Sequence, residues 1–305
     1  MQEPTTVDQG VVPTHFHSHL HRPTAKTLLF VSVALAVYVF LIMVVMNFSL
    51  VKFAFATHGD RFETVEGGVP TWYKSEFGMI RKVAGPEGFK NAPVTVLEAI
   101  PYGATPNEFA VLAKVEGVEG IALGILHANN TFENILADGT NKADLAVRPD
   151  GTALYAAMVD GESRLMLLDL TKSGVAPSDL GRGRSPRVFT DGFFVAISSR
   201  GIVRVDPVTK SVTVLMPSTD ADIYNGTISR DGLAAAISNT SGKTLLYAIR
   251  HTNPGNVSLV STSQFVALSP LSFVDEEFII EPSTRLVNVY EKLLSLKKIG
   301  SFRIK

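Results

Sequence analysis

Three Asp-Gly pairs lie at nearly equal intervals along the chain and constrain its fold more than any other feature. They are Asp150-Gly151, Asp191-Gly192 and Asp231-Gly232, separated by 41 and 40 residues, and an apolar run typical of a β-strand follows each pair. Both residue types tolerate a positive φ, so each pair suits a tight hairpin turn between two strands. A period of this length predicts a β-repeat, most often a propeller with about four strands in each unit.

The period extends beyond the three pairs. Asn107 lies 43 residues before Asp150, and Asp275 lies 44 residues after Asp231. Each of these outer positions is also followed by an apolar run. A further step back reaches Glu66, where a degenerate unit would begin. We therefore predict an all-β fold, a β-propeller of five (with the degenerate unit, six) four-stranded blades, with a non-closed β-sandwich as the alternative.

Two segments carry a resemblance to a known family. Residues 144–174 read DLAVRPDGTALYAAMVDGESRLMLLDLTKSG, and residues 226–250 repeat the pattern of strand, Asp-Gly turn and strand. This pattern resembles the repeat of TolB-like and WD-repeat-like β-propellers over roughly residues 95–290. The resemblance implies a fold and not an activity. The Trp-Asp dipeptide of true WD repeats is missing, because the sole tryptophan is Trp72.

An uncharged stretch of 25 residues, 27–51, precedes the repeats. About 20 apolar residues in a helix span a bilayer, so the stretch predicts a single transmembrane α-helix. It is longer than the roughly 7–15 apolar residues of a cleaved signal peptide, which favours an uncleaved signal anchor. The numbers of Lys and Arg residues on the two sides of this stretch are equal, so the positive-inside rule does not decide its orientation in the membrane. The histidine-containing tail and the large following domain favour an inner-membrane protein with its N-terminus inside and its C-terminal domain extracytoplasmic.

The predicted organisation has four parts. Residues 1–26 form a disordered tail, 27–51 the transmembrane helix, 52–68 a connector and 69–305 the propeller domain. The chain has no cysteine, which excludes disulfides, thiolate metal sites and thiol nucleophiles. Its formal net charge of −1 gives no general attraction to nucleic acid, so no nucleic-acid partner is expected.

Alternating histidines in the tail form a candidate metal site. In an extended strand every second side chain points the same way, so four imidazoles would converge on a Zn, Ni or Cu ion. The residues are His15, His17, His19 and His21. The cluster has no carboxylate to orient its imidazoles, and an incidental polar tail is the alternative.

A basic segment, GRGRSPR at 181–187, is the candidate partner-binding site. Its three arginines, Arg182, Arg184 and Arg187, would grip a phosphate or an acidic partner from a flexible loop. A solvated loop between blades is the alternative.

Motifs for catalysis are missing, so the sequence favours a non-enzymatic protein without a cofactor. There is no Gly-x-Ser-x-Gly elbow, and the Gly242-Lys243-Thr244 triplet has Ile237 where a P-loop requires glycine. His127, Asp169 and Asp206 are candidates for an enzyme site only by guesswork. Clustering of His127 with carboxylates inside a central channel would favour an enzyme.

The function predicted from these features is a membrane-anchored extracytoplasmic β-propeller that binds a protein, peptide or glycan in the cell envelope. Two alternatives stay open. One is an envelope hydrolase or lyase whose site is built from propeller loops. The other is an accessory subunit of a membrane complex, assembled through small or polar positions of the helix such as Ser32, Ala34, Ala36 and Tyr38. The oligomeric state is open.

Overall fold

The fold is that of a computed structural model, and the chain divides into two compact units, Met1–Leu50 and Val51–Lys305. The residues described are 29–42, 61–76, 79–103, 106–189, 191–217, 223–229, 231–239, 244–249, 257–263, 271–273, 278–282, 286–291 and 297–303. The predicted tail, its four histidines and most of the predicted connector lie outside these residues.

In the first unit the described residues form one helix, α1, at 29–42, and its side chains are exposed. Within the described part of the chain, no helix is long and apolar enough to cross a membrane. The prediction of a transmembrane helix over 27–51 is therefore wrong; residues 27–28 and 43–51 of that stretch lie outside the described residues.

The second unit begins with two antiparallel meanders. The first has three strands, β1 (Arg61–Glu66), β2 (Val69–Glu76) and β3 (Met79–Val83). Its first strand falls within the segment 52–68 that was expected to be a connector. The second meander has four strands, which are β4 (Thr95–Pro101), β5 (Phe109–Lys114), β6 (Ala122–Leu126) and β7 (Phe132–Leu136).

The central sheet has seven strands. They are β8 (Lys142–Val147), β9 (Thr152–Val159), β10 (Glu162–Asp169), β11 (Ser178–Val188), β12 (Phe194–Ser198), β13 (Gly201–Val205) and β14 (Val212–Pro217). The first half of β11 pairs with β10, and its second half pairs with β12. One long strand therefore joins two consecutive meanders into a single sheet.

Two four-stranded meanders complete the unit. One consists of β15 (Ile223–Ile228), β16 (Ala234–Asn239), β17 (Thr244–Ile249) and β18 (Val257–Ser263). The other consists of β19 (Ser272–Phe273), β20 (Phe278–Pro282), β21 (Leu286–Glu291) and β22 (Lys297–Arg303).

The prediction of a five- or six-bladed propeller of four-stranded blades behind a transmembrane helix is wrong. The described strands form sheets of three, four, seven, four and four strands, without a closed barrel. The sequence period specified neighbouring antiparallel strand pairs, but it did not specify how those pairs are grouped into sheets. The shared strand β11 is the clearest departure, because independent blades would not divide one strand between them.

The turns at the Asp-Gly pairs, by contrast, form as predicted. Gly151, Gly192 and Gly232 have φ of 88°, 83° and 76° and lie between β8 and β9, β11 and β12, and β15 and β16. In each turn the aspartate Oδ1 accepts a hydrogen bond from the backbone N–H two residues later, at 2.9–3.1 Å. The equivalent turn before β5 uses Asn107, whose φ is 65°. The repeat thus encodes a turn conformation that few residue types adopt.

The core lies between neighbouring sheets. Leu112 and Leu123 of one sheet pack with Leu145 and Tyr155 of the next, and all four side chains are buried. Further apolar clusters separate the two halves of the central sheet and cover the β15–β18 sheet. Strands covered on both faces are apolar at nearly every position, which explains the continuous apolar runs after the turns.

Candidate ligand-binding cavity

The strands that begin the meanders enclose a cavity of about 380 Å³. Its wall includes residues of β1, β4, β8, β11, β15 and β19, which we call the cavity strands, together with Trp72 of β2. The charged lining residues are Arg61, Glu63, Glu98, Asp144 and Arg187. Apolar side chains such as Ile100 and Val147 complete the wall.

A smaller cavity of about 200 Å³ shares Val65 and Asp144 with the larger one. Its charged lining residues are Asp144 and Arg184. In β8 and β11 the more N-terminal of the lining residues line the smaller cavity and the more C-terminal ones line the larger one. In β1 the order is reversed, because its N-terminal residues line the larger cavity. The cavity strands are therefore not equivalent copies, which is a second departure from a regular ring of blades.

Four cavity strands share a local irregularity. Their pairing with the next strand shifts register within 96–98, 143–146, 184–187 and 223–225. Each shift places an extra residue on the cavity strand, which is a β-bulge, and bulges redirect side chains next to functional sites. Residues of three of these bulges, among them Glu98, Asp144 and Arg184, line the cavities.

The bulge in β11 brings two arginines to one face of the sheet. In a regular strand, residues three apart point to opposite faces. Here Arg184 pairs with Ile197 and Arg187 pairs with Val195, so the two arginines lie opposite residues that are two apart. Both arginines consequently share one face, with Arg184 lining the smaller cavity and Arg187 the larger.

Carboxylates at two of the bulges link β4 to β8 and β8 to β11. Glu98 in the β4 bulge accepts a hydrogen bond from the backbone N–H of Leu145 in the β8 bulge, at 2.9 Å. Asp144 in the β8 bulge accepts one from the backbone N–H of Ser185 in the β11 bulge, at 3.1 Å. These bonds satisfy backbone donors that the bulges remove from the strand ladders.

The second of these links is strained. Asp144 and Ser185 have φ of 56° and 49°, in the left-handed region that residues with a side chain rarely adopt. Such conformations cost about 1–3 kcal/mol each and concentrate at functional sites. The surrounding sheets thus hold Asp144 in an unfavourable backbone conformation beside both cavities.

Two arginines of the larger cavity keep unused donors. Arg187 donates from Nη1 to the carbonyl oxygen of Pro186 at 2.8 Å, and Arg61 donates from Nη1 to that of Gly85 at 2.6 Å. The Nε of each arginine is buried and has no hydrogen-bond partner among the described residues. A buried donor without an acceptor costs about 1–3 kcal/mol, so these groups require an explanation.

Arg184, which lines the smaller cavity, is a charged side chain without a direct ion pair among the described residues. Burial lowers the pKa of its guanidinium, and the charge of Asp144 opposes that shift. Within the described residues no carboxylate oxygen lies within 4.0 Å of it, and an arginine keeps its charge even when buried. Arg184 is therefore a cation near Asp144 without a direct ion pair.

Arg182, the remaining arginine of the basic segment, has a different environment. Its guanidinium makes a bidentate contact with the carboxylate of Glu162 on β10, and its side chain is 60% exposed. It lines neither cavity. The segment 181–187 is part of β11 and not a loop, and it divides the three candidate arginines between the surface and the two cavities.

His127 lies in a second polar cluster, between two carboxylates. Its Nδ1 is 3.2 Å from Glu108 Oε1, and its Nε2 is 3.2 Å from Glu133 Oε2. The hydrogen bond to Glu108 raises the pKa of His127 most; burial opposes that shift and Glu133 adds to it. None of the three lines either cavity, and among the described residues no three or more His, Asp or Glu side chains, these three included, are placed so that they could hold a metal ion.

The other two candidates for catalysis serve as turn residues. Asp169 accepts hydrogen bonds from the backbone N–H and the hydroxyl of Thr171, at 3.0 and 2.6 Å. Asp206 accepts from the backbone N–H groups of Val208 and Thr209, at 2.8 and 3.1 Å. Each carboxylate caps a local turn, and these bonds lower the pKa of Asp206. Neither carboxylate lines the larger or the smaller cavity described above.

Sequence reasoning missed four of the cavity's charged residues, Arg61, Glu63, Glu98 and Asp144. The available signal was a carboxylate that interrupts an apolar strand, as in TVLEAIP of β4 and KADLAV of β8. A charge in such a strand requires a partner or a polar cavity.

Comparisons with known proteins give no identity for the chain. No protein family and no curated protein matches it. Among solved structures, the crystal structure of a nidogen/laminin complex matches over 79% of this chain and 92% of the other chain, at 9% identity and a TM-score of 0.46. A likeness at that level carries no argument about fold or function, and it does not test the resemblance to TolB-like repeats.

Proposed function

We propose that the protein is a non-catalytic binding module whose larger cavity receives a short segment of a peptide or protein partner. The observation that carries this proposal is that Arg61 and Arg187 both line a 380 Å³ cavity and that neither guanidinium has all of its donors paired among the described residues. A bound acceptor would pair with guanidinium groups whose hydrogen-bonding capacity the folded chain leaves partly unused.

The composition of the cavity wall supports a peptide more than a glycan. Glycan sites rely on neutral polar groups and on exposed aromatic faces. Here the wall combines full charges with aliphatic side chains such as Ile100, Val147 and Ile228. The ring of Phe62 is stacked on Tyr73, 5.8 Å away, and the indole N–H of Trp72 is donated to the carbonyl oxygen of Leu97. Charged and aliphatic groups together complement amino-acid side chains.

The size of the cavity limits what enters it. Small-molecule sites in proteins have volumes of roughly 300–1,000 Å³, and this cavity lies at the lower end of that range. It has room for one or two side chains. The rest of a partner would remain outside the cavity.

A hydrolase is the second candidate, since Glu63, Glu98 and Asp144 place three carboxylates on one cavity wall. Carboxylate pairs catalyse the hydrolysis of glycosides. However, Glu98 and Asp144 already accept hydrogen bonds from the backbone of neighbouring bulges. This structural use of the carboxylates favours the binding module.

The test is a selection of peptides on the immobilised full-length protein, followed by affinity measurements on the selected peptides. The proposal predicts peptides whose binding is lost with Arg187→Gln and kept with Arg182→Gln. The Arg182 variant is a matched control because it removes the same charge from the same strand outside the cavities. Peptides that bind both variants equally well would show that the cavity is not the site, and release of product from aryl glycosides would favour the hydrolase.

A further inference from the structure

We infer that the ligand group that binds in the cavity is a carboxylate, held by Arg184 and Arg187. The carboxylate of Asp144 competes with the ligand for these arginines and thereby lowers the affinity of the protein for the ligand. This inference rests on the proposed function and adds the chemistry of the ligand. It follows from the charges around the two cavities, from the bulge in β11 and from the position of Asp144.

The charges around the two cavities balance. The lining residues together include three arginines, Arg61, Arg184 and Arg187, and three carboxylates, Glu63, Glu98 and Asp144. Among anionic ligands, one with two negative charges would add strong like-charge repulsion in a confined space, whereas one with a single negative charge adds less. A carboxylate carries one charge and two oxygens in a plane, which match the planar donors of a guanidinium.

Donors for such a group are already in place. Arg187 lines the larger cavity and has a buried Nε without a hydrogen-bond partner among the described residues, and Arg184 lines the smaller cavity without an ion pair among the described residues. The β11 bulge places both arginines on one face of the strand, with Ser185 and Pro186 between them. A carboxylate at the boundary of the two cavities would therefore face two cations from one strand.

Asp144 occupies that boundary. It is one of the residues that line both cavities, and its negative charge acts on Arg184. Its Oδ2 is fixed by the backbone N–H of Ser185 at 3.1 Å, so it cannot move away from β11 without breaking that bond. An incoming carboxylate must share the arginines with this fixed charge, which lowers its affinity.

The substitution Asp144→Asn separates the charge of this side chain from its structural role. Asparagine tolerates a positive φ, and its side-chain oxygen can still accept from Ser185 N–H. Asp144→Asn therefore removes the competing charge and keeps the link between β8 and β11. We expect this variant to bind a carboxylate about threefold to tenfold more tightly, as the removal of one partly screened like charge predicts.

The experiment uses the fluorescence of Trp72, the sole tryptophan, which lines the larger cavity. The full-length protein is titrated with N-acetyl-leucine, with its uncharged amide and with inorganic phosphate. We expect a saturable fluorescence change with N-acetyl-leucine alone. We expect affinity to fall about tenfold or more in Arg187→Gln and in Arg184→Gln and only in part in Arg187→Lys, which keeps the charge without the planar donors. Arg182→Gln should leave the affinity unchanged.

Each other outcome overturns the inference. Equal binding of the amide would show that the negative charge is not recognised. Equal or tighter binding of phosphate would identify a general anion site. Unchanged or weaker binding to Asp144→Asn would remove Asp144 as a competitor. An absence of N-acetyl-leucine binding, together with selected peptides that depend on Arg187 but have no carboxylate, would overturn the inference and leave the proposed function standing. If no peptide depends on Arg187, the proposed function itself fails.

Discussion

The two polar clusters of the second unit contain the same kinds of groups and use them differently. In the cluster around His127, each ring nitrogen faces a carboxylate at 3.2 Å, and the side chains are between 22% and 50% exposed. In the larger cavity, Arg61 and Arg187 retain buried Nε donors without an acceptor among the described residues. Clustered charges alone therefore do not identify a site. A better indication of a binding site is a charged side chain that lines a cavity and has hydrogen-bond donors without a partner.

The largest expected effect is on ligand binding by the cavity arginines. Replacing both Arg184 and Arg187 with glutamine removes two cations that face one ligand group. Affinity for the selected peptides should fall by at least about 100-fold, because each charge-assisted hydrogen bond contributes about 1.5–3 kcal/mol. Isothermal titration calorimetry measures the change, with circular dichroism to confirm the fold. A double variant that is folded and binds normally would place recognition elsewhere.

The next effect is on stability and concerns Asp144. Asp144→Ala leaves the Ser185 N–H without its acceptor and puts alanine at a φ of 56°. We expect a loss of about 2–3 kcal/mol in the free energy of unfolding, against less than about 1 kcal/mol for Asp144→Asn. Urea unfolding of the two variants gives the comparison. Equal stability of the alanine and asparagine variants would mean that the link between β8 and β11 contributes little.

Around His127 we expect a smaller effect that depends on pH. The pKa of His127 is raised in the folded protein, so its contribution to stability is fully present below the unfolded pKa of about 6.5 and is lost as the pH rises through the folded value. His127→Gln should lower stability by about 0.2–1 kcal/mol at pH 5.5 and by less at pH 8.5, because the cluster is exposed to solvent. Urea unfolding at both pH values measures this. An effect that is larger at pH 8.5 would contradict the assignment.

The smallest effect is expected at Arg182. Glu162 retains a second arginine, Arg164, at 4.0 Å after Arg182→Gln, and the lost pair lies at the surface. Stability should change by less than about 0.5 kcal/mol, and peptide affinity should not change. The same calorimetry and unfolding measurements apply. Weaker peptide binding in this variant would extend the site from the cavity to the outer surface of β10 and β11.

The sequence was sufficient to predict the local turns of this chain but insufficient to predict how its strands are grouped into sheets. Gly151, Gly192 and Gly232 form the predicted turns because their conformation depends on residues next to one another. The division of β11 between two meanders depends on long-range pairing, which no local pattern records.

The candidate site shows the same limit. The cluster of Arg182, Arg184 and Arg187 was visible in the sequence, but a strand with regular alternation would have placed Arg184 and Arg187 on opposite faces. The bulge that brings them together is a tertiary feature. Arg182 precedes this bulge, on the half of β11 that pairs with β10, and contacts Glu162 outside the two cavities.

The most direct test of this account is a nuclear magnetic resonance titration of the arginine Nε–Hε groups in the full-length protein with a selected peptide. If the unused donor of Arg187 is the binding group, its resonance will shift and saturate with the same dissociation constant that calorimetry gives for the peptide. The resonance of Arg182, which is already paired with Glu162, will not move. A peptide that binds and shifts Arg182 but leaves Arg187 unchanged would contradict the account.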